Sequence, residues 1–205
     1  MIPAQLLRNK KILIRFIPEP AVELMAEWIY RYDFKLKIKK SRSSKYGDYR
    51  PPLPGKNHQI TVNNDLNPYS FLLTLVHEIA HLSNFDKNGN GVSPHGREWK
   101  HEFRVLMQPF FVLQVFPSDV KAAVERYMHN PAATSCSDLH LQRTLKKYNT
   151  VEEDIHLESL EEGREFSYKK RAFVKGEQRR KRFLCREKRS GKLYLFSPLT
   201  PVILL

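Results

Sequence analysis

The residues with the clearest chemical potential lie in the run His77-Glu78-Ile79-Ala80-His81. On a helix, two histidines four positions apart stand about 40° apart and one turn above each other, so both imidazoles can reach one ion. The glutamate between them looks along the same cleft, where it can take a proton from a metal-activated water. The pattern predicts a hydrolytic zinc site with His77 and His81 as ligands and Glu78 as the base.

A catalytic zinc takes a third protein ligand and keeps a fourth position open. The next candidate is His95, in Ser93-Pro94-His95-Gly96-Arg97-Glu98-Trp99, and Asn88-Gly89-Asn90-Gly91 can turn the chain back toward the first two histidines. Glu98 and Glu102 are rivals, since a carboxylate completes some zinc sites. His101 lies about 240° around the helix from His95, too far for the two to share an ion easily. The residues alone leave this ligand open. Asp86-Lys87-Asn88-Gly89-Asn90-Gly91 also imitates the first half of a calcium loop, but its twelfth position holds Arg97 where a bidentate Glu is needed.

The surrounding pattern positions these groups. Leu72, Leu73, Leu75, Val76, Ile79, Ala80 and Leu82 fall on one arc of a helix, and His77, Glu78 and His81 fall on the other. The helix is expected from Asn67 to about Phe85, and a second from Pro94 to about Met107. Upstream, Val22, Met25, Ile29 and Tyr32 recur at helical spacing over about 20–32. Phe34–Lys40 and His58–Asn63 alternate as half-buried strands, and either could take an extended substrate along a sheet edge. Between them, the Pro-rich stretch Tyr46–Asn57 reads as a loop or irregular edge, with Tyr46, Tyr49 or Arg50 as candidate oxyanion stabilisers. Met107–Phe116 reads as core, 118–128 as a short helix and Leu139–Tyr148 as another.

His77-Glu-Ile-Ala-His81 followed by His95-Gly-Arg-Glu-Trp99 resembles the SprT-like (Spartan-type) family of zinc metallopeptidases, over roughly residues 15–130. The resemblance implies an α+β fold with a zincin-like (minigluzincin) catalytic domain, a small antiparallel sheet and the HExxH helix. It also implies His95 as third ligand, Trp99 packed beneath the site, and proteolysis of DNA-bound or DNA-crosslinked proteins. Many relatives carry a C-terminal zinc ribbon with paired cysteines. Here only Cys136 and Cys185 are present, so the C-terminal strands resemble a ribbon that has lost its metal. Cys136 with His140 is an incomplete ligand set.

The expected organisation is a peptidase domain over 1–130, a short helix and acidic linker over 131–163, and a small basic β-module over 164–205. Its charge is concentrated. Of the formal +13, the span Gly163–Lys192 holds 13 Lys or Arg against three Glu, leaving about +3 elsewhere. Arg179, Arg180, Lys181, Arg182, Arg186, Lys188, Arg189 and Lys192, interleaved with Phe183, Tyr194 and Phe196, predict contact with DNA, single-stranded or damaged, beside the protein substrate. The N-terminal apolar run is broken by Arg8, Lys10, Lys11 and Arg15, and no stretch is long enough to span a membrane. Two cysteines fit a reducing, cytoplasmic setting. The competing reading is a nucleic-acid-binding adaptor with a structural or silent zinc domain, against which the intact Glu78 speaks.

Overall fold

The computed structural model, which describes residues 3–42, 45–131, 138–150 and 155–205, begins with a helix that the apolar pattern does not announce. This helix, α1 (Ala4–Leu13), buries only Leu6 and Leu13, two turns apart, and leaves Leu7 and Ile12 exposed among its polar residues. Lys10 and Lys11 in its last turn complement the helix dipole. α2 (Val22–Arg31) follows, with Val22, Met25, Ala26 and Ile29 on the buried side, as the spacing predicts.

Three strands come next: β1 (Lys35–Lys39), β2 (Gly47–Arg50) and β3 (Gln59–Asn63). Their order is β1-β3-β2, with β1 parallel and β2 antiparallel to β3. The sheet is therefore mixed, not antiparallel. β3 is paired on both sides and has no edge to offer a substrate. The stretch expected to be a loop or irregular edge supplies the edge strand β2, flanked by Pro51 and Pro52 where a proline-rich exit costs no ladder bond.

α3 (Pro68–Asn88) starts where Asn67 accepts a hydrogen bond from the Ser70 amide at 2.9 Å and Pro68 sets the first turn. It ends at Gly89, whose φ of 64° continues no helix. Phe71 through Ala80 are all buried, because the sheet covers one side of α3 and the next helix another. That helix, α4 (Arg97–Val112), runs past Pro109: the proline forfeits one backbone bond, yet Met107 and Phe110 on the same face are fully buried and hold the helix in place. α5 (Ser118–His129) and α6 (Leu139–Lys146) complete the helices. Among the described residues no helix is long and apolar enough to cross a membrane.

The architecture is α+β, and the chain divides into two units, Met1–Thr150 and Val151–Leu205. The division falls after α6, not at Asn130-Pro131. Leu141 and Leu145 of α6 join the first core, and Asn67 Nδ2 donates to the Leu145 carbonyl at 2.8 Å, tying α6 to the start of α3.

The second unit has its own core of Leu157, Leu160, Phe166, Phe173, Cys185, Phe196 and Val202. Six strands build it: β4 (Glu165–Tyr168), β5 (Arg171–Val174), β6 (Gln178–Arg179), β7 (Arg182–Glu187), β8 (Leu193–Phe196) and β9 (Ile203–Leu204). The path is β6-β7-β5-β4-β9, with β8 on β7, against two or three strands expected. Lys175 is only 5% exposed; its ammonium lies 4.0 Å from the Phe183 ring centre and donates to the carbonyls of Leu160 and Glu158. A lysine is thus the cation that gathers this core.

Candidate metal centre

Two elements bring the three candidate ligands together. α3 presents His77 and His81 one turn apart, with ring centres 5.1 Å from each other. The turn between α3 and α4 delivers His95 to them, its ring centres 5.1 Å from His77 and 4.4 Å from His81. His95 has a φ of 58°, a left-handed conformation uncommon for a residue with a side chain and found more often at functional sites. Gly96 follows it with its amide on the Ser93 carbonyl, at 2.9 Å. A Cβ on Gly96 would meet that same oxygen at 2.9 Å, so glycine at this position is a steric requirement of the turn.

One nitrogen from each of the three imidazoles lies within 4.8 Å of the others. The Nε2 atoms of His77 and His95 are 3.1 Å apart. Tetrahedral zinc with nitrogen ligands at 2.0–2.1 Å needs nitrogens about 3.3 Å apart, so small rotations of these rings close the set on an ion. The donor set fits a borderline-soft divalent metal. Trp99, fully buried, stands 4.5, 5.3 and 4.7 Å from the rings of His77, His81 and His95 and forms the seat beneath them.

The protonation states suit ligation. Burial lowers the pKa of all three histidines: His77 falls well below its ordinary range, with His81 and His95 adding, and His81 is pushed down to about 4. For His95, burial acts first and the Lys100 charge second. All three are neutral imidazoles near pH 7, the form that binds metal.

Glu78 is buried beside them, 7% exposed. Burial pushes its carboxyl up to about 8 and the Asp48 charge adds to this, while the Tyr49 amide, donating to the carboxylate, and the charges of Lys45 and Arg42 work against it. A cation at the histidines would oppose the upward shift and favour the carboxylate. Gly47 lies so close to this group that no side chain fits between them.

The rivals for the third ligand are placed elsewhere. Glu102 accepts from Ser83 Oγ at 2.7 Å and from Lys87 Nζ at 2.8 Å, clamping α4 to α3. Glu98 and His101 are exposed and outside the histidine group. Asp86 pairs with His58 at 3.3 Å, which disposes of the calcium-loop resemblance in favour of a turn. Cys136 lies outside the described residues, and Cys185 is a buried thiol in the second core.

Of the three oxyanion candidates, Tyr49 stands beside the histidines. Its ring is nearly parallel to His81, 5° apart at 6.4 Å, and its hydroxyl bonds His58 Nδ1 at 2.9 Å. Arg50 turns away to Asp48, at 3.0 Å. His58, Asp48, Arg42 and Gly47 surround the ligand helix without any motif to mark them. Asn63 holds the strand ends there, accepting from Arg42 Nε at 2.8 Å and donating to the Lys45 carbonyl at 3.1 Å.

In the second unit, Arg179, Arg180, Lys181, Arg182, Arg186, Lys188, Arg189 and Lys192 are all exposed. Arg179 pairs with Glu177 at 2.8 Å and Lys188 with Glu165 at 2.7 Å. The interleaved aromatics are not free to stack on bases. Strand alternation points Phe183, Tyr194 and Phe196 at the core, and Leu193 and Leu195 take the solvent side.

Compared with protein-family models, curated proteins and solved structures, the chain finds no match.

Proposed function

We propose that the chain is a zinc-dependent endopeptidase of zincin-like, SprT-like organisation, acting on flexible protein segments. The observation that carries this reading is the meeting of three neutral imidazoles beside a buried carboxyl group on the same helix. A site that only held a metal for structure would need no Glu78, and a fourth protein ligand would close it.

When bound, zinc would supply Lewis acidity and a water of lowered pKa. His77, His81 and His95 hold it. Glu78 takes the proton from the attacking water and hands it to the leaving amine nitrogen. The Tyr49 amide fixes the carboxylate that does this. β2 has one edge unpaired in the order β1-β3-β2, and its Gly47 and Tyr49 lie against Glu78 and His81. An extended peptide added to this edge by main-chain hydrogen bonds would run past the metal. Backbone recognition of that kind favours unfolded segments over a particular side chain. The exposed cations of the second unit support DNA as the surface on which such substrates are met, by charge and not by stacking.

The test is Glu78→Gln in the full chain. It should keep one zinc per chain and lose casein cleavage by about 10²-fold or more. Cleavage equal to the unaltered protein would remove the peptidase assignment.

A further inference from the structure

The outer face of the three-stranded sheet carries a second concentration of positive charge, inside the first unit and distinct in sequence from the C-terminal cations. Along β1 the side chains alternate: Leu36 and Ile38 pack against the core, and Lys35, Lys37 and Lys39 face outward. The register sets Lys35 against Gln59 and Lys37 against Thr61 on β3, and Arg50 of β2 faces Gln59 from the other side. Lysines two positions apart stand about 6.7 Å apart along a strand, and β1 and β2, on either side of β3, are about 9.6 Å apart. The face is a narrow trough with one wall of three lysines and a second wall with Arg50; on its floor Gln59 is half-exposed and Thr61 is buried.

The charges are poorly compensated. Among the described residues, no carboxylate pairs with Lys35, Lys37, Lys39 or Lys56, while the one acid of the strand face, Asp48, is taken by Lys45 at 2.6 Å and Arg50 at 3.0 Å. Asp33, just before β1, is bonded to Asn57. Lys37 feels the crowding: its pKa is lowered by desolvation and by the charges of Lys35, Lys39, Arg50 and Lys56. Folding holds like charges in a row where one neutral substitution would relieve them, an arrangement a polyanion would stabilise.

We propose that this face, with Lys35, Lys37 and Lys39 as its main contacts, binds the phosphate backbone of a nucleic acid single strand. An even line of ammonium donors matches an even line of phosphates. The strand face has no apolar side chain to anchor a peptide, which disfavours an acidic protein partner. β2 joins the two functions through its pleat: Gly47 and Tyr49 face the histidine helix, and Asp48 and Arg50 face the trough. A strand bound there lies one sheet thickness from the metal centre. The inference does not depend on what the metal centre catalyses, and it adds a contact surface to that of the second unit.

The experiment uses the full chain and a fluorescent oligo(dT) probe titrated at several salt concentrations. Lys35→Gln/Lys37→Gln/Lys39→Gln is compared with a control losing the same charge at exposed sites elsewhere, Lys11→Gln/Arg31→Gln/Lys121→Gln. Three lost phosphate contacts at ~0.7 each should lower the log–log salt slope by about 2, and the control should leave it nearly unchanged. Arg50→Gln/Lys56→Gln gives an independent reading from the other wall, with a smaller loss of slope. Equal slopes for the β1 variant, the control and the unaltered protein would overturn the proposal. So would a face that binds poly-glutamate in a lysine-dependent way but leaves oligo(dT) affinity unmoved, since that would make it a site for acidic protein. Zinc content and thermal melting show whether each variant is folded. If the β1 variant melts early, the Arg50/Lys56 variant decides alone.

Discussion

A Cβ built on Gly47 would lie 2.5 Å from Oε1 of Glu78 and 2.7 Å from Cγ2 of Thr74. The edge strand and the ligand helix therefore touch at a point where only a hydrogen atom fits, and that point is the carboxyl group assigned as base. Gly47→Ala should push Glu78 out of place while leaving the three histidines alone. Zinc content should stay at one per chain, kcat/KM on casein should fall on the order of 10²-fold, and stability should drop by about 1–3 kcal/mol. An alanine protein as active as the unaltered one would show that the Glu78 position is not critical.

The third ligand can be assigned by difference. His77→Ala, His81→Ala and His95→Ala should each lose most of the bound zinc, because two imidazoles cannot complete an open tetrahedral site. Glu98→Ala and Glu102→Ala should keep it. Glu102→Ala should also lower the melting temperature, since its carboxylate holds Ser83 and Lys87 across α3 and α4. Zinc retained in His95→Ala and lost in Glu98→Ala would reverse the assignment.

The ligand helix was legible because both of its signals are local. Its apolar arc and its His-Glu-His face lie within a few turns, and its two ends are marked by Asn67-Pro68 and Gly89. The strands β1 and β3 were legible by alternation for the same reason. What surrounds the site was not, since it depends on contacts between distant segments. β2 hides in a proline-rich stretch, and its value comes from Gly47 meeting Glu78 and from Tyr49 meeting His81. α1 shows only two buried leucines, too few to form a periodic pattern. α6 belongs to the first unit through Asn67 and Leu145, a partnership that no spacing rule reveals. The aromatics of the second unit were visible as residues, but which side of the sheet they face depends on a register that the sequence leaves open.

The second unit should respond to acid through Glu187. Arg171 donates to this carboxylate at 2.6 Å and Ser190 also bonds it, which brings its pKa down to about 2 from an ordinary value of 4.5. A carboxylate depressed on folding contributes stability that is fully present above its unfolded pKa and is lost as pH falls through the folded one. Amide protection of Phe173 and Glu187, paired across β5 and β7, should therefore hold down to about pH 4.5 and weaken toward pH 2. Glu187→Gln should start lower and flatten that dependence. Hydrogen exchange measured against pH checks both, and an unchanged slope in the variant would place the acid sensitivity elsewhere.

Removing the metal should separate the two units. In the first, three imidazoles converge, His77 buried and His81 and His95 half-buried, so a bound ion would stabilise the turn that carries His95. In the second, the described residues contain no comparable group of His, Cys or acids. Its core is gathered by Lys175, whose ammonium serves the Leu160 and Glu158 carbonyls and lies over Phe183. A chelator should abolish casein cleavage and loosen exchange protection around His95 and Trp99, while β5 and β7 stay protected. Lys175→Met should do the opposite. It fills most of the volume but removes the ammonium from the Leu160 and Glu158 carbonyls, costing the second unit about 1–3 kcal/mol and leaving zinc content and cleavage untouched. Loss of protection in β5 and β7 on chelation would mean that this unit holds a metal after all, and that Lys175 is not what organises it.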